Sequence, residues 1–247
     1  MIVDASAFHD LKIVDTHMFG DESVANHAGA AGRLLQDLKN AKLVVSQRGA
    51  KHMIDPQKLK QGTEQVYSKE LIDKWHGEII PVLEDRIIPI NEHTVFNIGV
   101  LELLVEPTSG HAPHHVFISL FLPNEQNGTK QEKYCHGVFT GDNFAGECPF
   151  QRNHTRISAF LMPQPTPPQF DPQSWKLALI RIGQLNPQLI YLTHYGVIEF
   201  KQEMVQDVCQ KLDKYVEIVD EALQMDDKDK KDGEENIPIN DSYFKEK

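Results

Sequence analysis

Apolar residues fall along this chain in short blocks, and most blocks have the length and alternation of strands rather than helices. Strand-like runs lie at 11–17, 42–46, 101–105, 116–122, 134–140 and 189–192, with two shorter ones expected at 78–82 and 86–90. Residues 95–98 and 100–105 read as a hairpin with Gly99 near its turn. The pair 116–122 and 134–140 is joined by a polar loop, 124–133. Helical spacing appears in three places. Leu34, Leu35 and Leu38 mark a helix over 28–39, and 57–75 carries a second after the turn signal Asp55-Pro56. The long segment 201–224 places Val205, Val208, Leu212, Tyr215, Val216 and Val219 on or near one face. A helix over 172–185 follows a proline-rich connector at 162–168, with Asp171 as its N-cap. No internal repeat is visible.

Four of the strand-like runs end on a side chain that ligates metals: His17, His111, Asp142 and His194. An α/β sheet builds its site from residues at the carboxyl ends of its strands. Imidazole and carboxylate are ligands that zinc and iron accept. Singly, each has a plain alternative: Gly141-Asp142 is a common turn pair, and His194 suits a strand-to-loop cap. Four such endings in one chain favour a shared site. His111 lies in the densest cluster, Gly110-His-Ala-Pro-His-His115, where His114 and His115 read either as donors that support a ligand from behind or as plain packing contacts of a polar loop. His9, His52, His76, His93, His136 and His154 lack such placement and read as surface or structural.

Composition narrows the class. The 247 residues are 40% apolar, enough for a globular core, and no apolar run is long enough to span a membrane. The net charge of −11, without a Lys/Arg stripe, argues against nucleic acid as a partner. Cys135, Cys148 and Cys209 form no CxxC pair and suit a reducing, cytoplasmic setting. Residues 1–225 read as one domain; residues 226–247, with eight acidic and five basic residues, read as a solvated, disordered tail.

In order and spacing the motifs resemble the metallo-β-lactamase-fold hydrolases over about residues 11–220. The resemblance rests on Asn26-His-Ala-Gly-Ala-Ala-Gly32, Gln47-Arg-Gly-Ala-Lys-His-Met-Ile-Asp-Pro56, Ser109-Gly-His-Ala-Pro-His-His115, Phe139-Thr-Gly-Asp-Asn-Phe144 and Leu192-Thr-His-Tyr-Gly196. It implies an α/β, αββα sandwich, here with part of the N-terminal half-sheet missing, because only 16 residues precede His17. A first half-sheet so reduced would leave an exposed edge and make a homo-oligomer more plausible. The family's first motif, His-x-His-x-Asp-His, is altered. Aligned from His17, Phe19 stands at the second His, Asp21 at the Asp, and five residues precede His27. Aligned from His27, Asn26 replaces the Asp, and Glu22 and Val24 replace the first two His.

The resemblance further implies one or two metal ions, zinc with iron or manganese as alternatives. His17 and His111 would serve the first ion, Asp21, His27 and His194 the second, and Asp142 would bridge them. A metal-bound hydroxide would attack an ester, thioester or lactone, with Asp21 as the catalytic residue that orients it or accepts its proton. Tyr195 is a lesser candidate for substrate contact. The loop 146–168 and the C-terminal helix would line the pocket, with Phe150, Phe160, Leu161 and Phe170 suiting an apolar substrate part. The altered first motif keeps two alternatives open: a non-catalytic relative that acts by binding, and an iron-dependent enzyme like a sulfur dioxygenase.

Overall fold

The computed structural model describes residues 12–14, 30–57, 79–124, 133–144, 146–147, 161–163, 170–194 and 196–232. Its first sheet joins β1 (Lys12–Val14), β2 (Lys42–Ser46) and β3 (Ile87–Ile90), all parallel, in the order β1-β2-β3. Strand β2 is buried along nearly its whole length, as a parallel strand covered on both faces must be. That explains its unbroken Leu43-Val-Val45 run, where alternation would be expected of a strand with one wet face. Pro89, which has no N–H to give a ladder, sits in β3, at the sheet's edge.

Helix α1 (Ala31–Asp37) and helix α2 (Gln47–Ile54) cover the outer face of this sheet. Ala31, Leu35, Ala50 and Met53 pack there against Leu43, Val45 and Ile87. The sequence reading did not assign α2. Its start is set by Ser46, whose hydroxyl accepts from the Gly49 N–H at 3.1 Å. The Arg86 guanidinium ties the α1–β2 turn to β3 by donating to the carbonyls of Leu38 and Ala41.

The second sheet has six strands: β4 (Thr94–Ile98), β5 (Leu101–Pro107), β6 (Val116–Pro123), β7 (Lys133–Phe139), β10 (Leu189–Leu192) and β11 (Gly196–Glu199). Their order is β11-β10-β7-β6-β5-β4, antiparallel throughout except for the parallel β7/β10 pair. Gly99, at φ 62°, makes the expected β4–β5 turn. A small pair, β8 (Gly146–Glu147) and β9 (Leu161–Met162), lies apart.

Period-two alternation sends Val44, Ile90, Phe96, Leu103, Val105, Val116 and Ile118 into one core between the two sheets. Phe117, Val138, Ile190 and Leu192 point the opposite way, into a second core under α3 (Pro172–Leu185) and α4 (Gln202–Asp232). The layers therefore run helix, sheet, sheet, helix, the expected αββα sandwich. The first sheet has three strands among the described residues, against six in the second.

Several expectations are corrected. Residues 79–82 form no strand; Val82 instead donates its N–H to Met53 O, and its side chain joins the first core. Strand β11 was not anticipated, because its four residues, Gly196-Val-Ile-Glu199, are mostly exposed and carry little pattern. Helix α4 continues to Asp232, past the expected end at 224. Val219, placed on its buried face, is exposed. Leu161 is fully buried in the second core, where it cannot line a pocket, and Phe170 is half-buried against Trp175. The expected helix 57–75 falls almost wholly outside the described residues, as do Phe150 and Phe160. No helix among the described residues is long and apolar enough to cross a membrane.

Candidate metal centre

Strand register brings the second-sheet candidates level. Tyr191 of β10 pairs with Phe139 of β7, in parallel. His194 and Asp142 each lie three residues beyond that rung, so the two strands deliver them to the same edge. Strand β5 runs antiparallel to β6, and Pro107 pairs with Val116. The loop 108–115, which carries His111, therefore opens at that edge too.

Each candidate is held by its local backbone. Asp142 sits in a single 3-10 turn, Gly141–Phe144, whose four residues are all buried. Gly141 enters it at φ 52°, and Thr140 donates its N–H to Tyr191 O of the neighbouring strand. The His111 loop is closed by the Thr108 N–H donating to His115 O at 2.8 Å. Gly110 is obligatory: φ is +132°, and a Cβ there would lie 2.3 Å from the Trp175 Cα. His194 occupies the turn between β10 and β11, whose pairing ends at Leu192 and Gly196.

The three side chains converge on one carboxylate. His111 Nε2 is 3.4 Å from Asp142 Oδ2, and His194 Nε2 is 3.3 Å from Asp142 Oδ1. His111 and Asp142 are buried, whereas the His194 side chain is 37% exposed. A long hydrogen bond to Asp142 lifts the His194 pKa above its ordinary 6.5, against the opposing effect of burial.

These separations fit a metal better than a strong ion pair. Charge-assisted N–H···O bonds run to about 2.7–2.9 Å. Two ligands on one tetrahedral zinc, each about 2.0–2.2 Å from it, lie about 3.4 Å apart. Because the two imidazoles face different oxygens, the arrangement suits a carboxylate shared between two ions. Among the described residues no group of three or more His, Cys, Asp or Glu is arranged to hold an ion. His17, Asp21 and His27, the further ligands that the resemblance implies, lie outside the described residues, as does Tyr195.

Behind the candidates lies a polar network. The Asn143 amide donates to Thr108 Oγ1 at 2.8 Å and to His115 Nδ1 at 3.0 Å. The Thr108 hydroxyl lies 2.9 Å from the same nitrogen. The His115 ring also lies edge-on to that of His111, with centroids 6.0 Å apart. His93, whose side chain is exposed, meets the buried Glu106 at 3.3 Å. Asn143, Thr108 and Trp175 were not singled out in the sequence. Only the adjacency of Asn143 to Asp142 hinted at any of them.

No family model and no curated protein matches the chain. Solved structures do. An archaeal metallo-β-lactamase superfamily protein from Sulfolobus tokodaii is similar over 83% of this chain and 68% of its own, at 21% identity and a TM-score of 0.58. A B3 metallo-β-lactamase with an active-site glutamic acid is similar over 87% of this chain and 81% of its own, at 14% identity and a TM-score of 0.51. The Rm3 metallo-β-lactamase is similar over 85% and 74%, at 14% identity and a TM-score of 0.51.

Proposed function

This chain has the metallo-β-lactamase fold, and we propose that it uses it as a metal-dependent hydrolase of a small-molecule ester, thioester or lactone. The observation that carries the reading is the Asp142 carboxylate, each oxygen of which faces a different histidine Nε2 at 3.3–3.4 Å.

Asp142, His111 and His194 would hold the metal, with Asp142 as the ligand shared between the two histidines. The resemblance adds His17 beside His111, and Asp21 and His27 beside His194, with Asp21 also orienting the attacking water. Zinc is the expected ion, with iron or manganese accepted by the same donors. A bound ion of this kind lowers the pKa of water toward neutrality and polarises a carbonyl. The chain's own contribution is positional. Burial of His111 and Asp142 holds one side of the site rigid and dry, which strengthens electrostatic interactions there. The exposed part of His194 marks the side open to solvent. His194 must give up the proton that Asp142 favours before it ligates.

The test is metal content of the purified protein beside Asp142→Ala, followed by a screen of esters, thioesters and lactones. We expect one or two equivalents of zinc in the wild type and their loss in the variant. A folded wild type that takes up no metal would overturn the reading. The altered first motif, with Phe19 at a ligand position, favours a second reading: a non-catalytic relative that acts by binding. It predicts little metal at stoichiometric protein concentration and no turnover of esters, thioesters or lactones. Iron in place of zinc would point to the dioxygenase-like alternative.

A further inference from the structure

Trp175 touches both loops that deliver the buried pair of candidate ligands. It lies in the first turn of α3, and its side chain is fully buried. On one side its indole meets the His111 ring edge-on, with centroids 5.1 Å apart and planes at 84°. On another its Nε1–H donates to the carbonyl of Asn143, the residue that follows Asp142. Its backbone is pressed against Gly110, where a Cβ would lie 2.4 Å from the Trp175 nitrogen. The same helix start is stitched to the His111 loop by the Asp171 N–H, which donates to Gly110 O at 2.8 Å.

His111 and Asp142 are 31 residues apart, and the Asn143 side chain ties their loops together at Thr108 and His115, on the side away from the His111 ring. The strands bring their loops to one edge, but a loop can still shift by a large part of an ångström. A metal pair is sensitive at that scale, because ligand distances are defined to about 0.2 Å. A rigid bicyclic ring, packed against one ligand and hydrogen-bonded beside the other, removes that slack. We propose that Trp175 is a positioning residue for the metal centre, and that its indole N–H holds the Asp142 turn in register with the His111 ring. This inference rests on the metal-site reading above.

The role separates from mere core packing. A packing role needs the ring volume, whereas the positioning role needs the N–H as well. Trp175→Phe keeps an aromatic ring but removes the donor. Replacement of Trp175 by 3-benzothienylalanine keeps the bicyclic shape and puts sulfur where the N–H stood. That second variant serves if the first fails to fold.

The experiment is a zinc titration of metal-free protein in competition with a chromophoric chelator, on the wild type, both Trp175 variants and Asp142→Ala. The thermal melt of each metal-free protein and the visible spectrum of its cobalt(II) form accompany it. We expect both Trp175 variants to lose about 10- to 100-fold in zinc affinity, the usual loss when a supporting contact is removed. The cobalt spectrum should change, and the benzothienyl variant should melt near the wild type. Wild-type affinity in the benzothienyl variant, or a lowered melting temperature with unchanged affinity, would overturn the positioning role while leaving the metal site standing. A wild type that binds no zinc, or an Asp142→Ala variant that binds it equally well, would overturn the metal reading, and this inference with it.

Discussion

At the scale of single residues, charge is buried only where a partner has been built for it. Glu106 is 2% exposed at the end of β5, on the face turned toward α3. Arg181 reaches it from α3, with Nε donating to Oε1 at 3.0 Å. Removing one partner of a fully buried pair costs about 3–5 kcal/mol. The Arg181 side chain is 38% exposed, so solvent screens part of that loss. Arg181→Met is therefore expected to destabilise by about 2 kcal/mol in urea unfolding, and Glu106→Gln added to it should restore part. An additive double variant would mean that the two side chains do not interact. Asp142 follows the same logic with two imidazoles. Its residue type and strand-end position were legible in the sequence, as were those of His111 and His194. Asn143 and Trp175 were not, because a supporting contact depends on which loops are neighbours, and no local pattern records that.

At the scale of elements, α3 and α4 behave oppositely. Helix α3 is specified locally. Asp171 accepts from the N–H groups of Gln173 and Ser174, Pro172 opens the helix, and Asn186 ends it at φ 45°. These features were readable, and its bounds match the expectation. Asp171→Ala is expected to cost about 1 kcal/mol. The Ser174 hydroxyl and N–H hold the Asp171 pKa below its ordinary 3.8. A depressed carboxylate stabilises the fold above its unfolded pKa, and that contribution fades as pH falls through the folded value. The difference between wild type and Asp171→Ala should therefore be constant at neutral pH and shrink below about pH 4. A difference that grows on acidification would refute the assignment of the cap.

Helix α4 keeps its apolar stripe well beyond the surface it covers. Val205, Val208 and Leu212 are buried, Tyr215 and Val216 half so, and Val219 and Leu223 are exposed. Periodicity shows which face of a helix is apolar but not how far the partner surface extends. That is why Val219 was misplaced. Leu212→Ala should cost about 2–5 kcal/mol, and Leu223→Ala no more than about 0.5 kcal/mol. Equal costs would mean that the stripe is covered along its whole length.

At the scale of the whole molecule, a metal that binds only the folded chain stabilises it. At a zinc concentration 100 times the dissociation constant the gain is about 2.7 kcal/mol. For a chain of this size that corresponds to a melting temperature raised by about 5–10 °C. The shift should vanish in Asp142→Ala and on addition of a chelator. A shift that survives in the variant would place the stabilising ion elsewhere.

The sequence by itself determined the elements whose cause is local. Strands β2 and β4 to β7, helix α3 and the ligand types at the strand ends all follow from alternation, capping residues and turn chemistry within a few positions. The tertiary structure decided the rest. The parallel register of β7 with β10 puts Asp142 and His194 level. Residues 79–82 pack beneath α2 in place of forming a strand. The edge strand β11 exists because β10 offers it a free ladder. Whether Asp142 lies 3.3–3.4 Å from two histidines depends on strand order, register and a tryptophan from a distant helix. Those are properties of packing between segments far apart in the chain, and short-range periodicity carries no information about them.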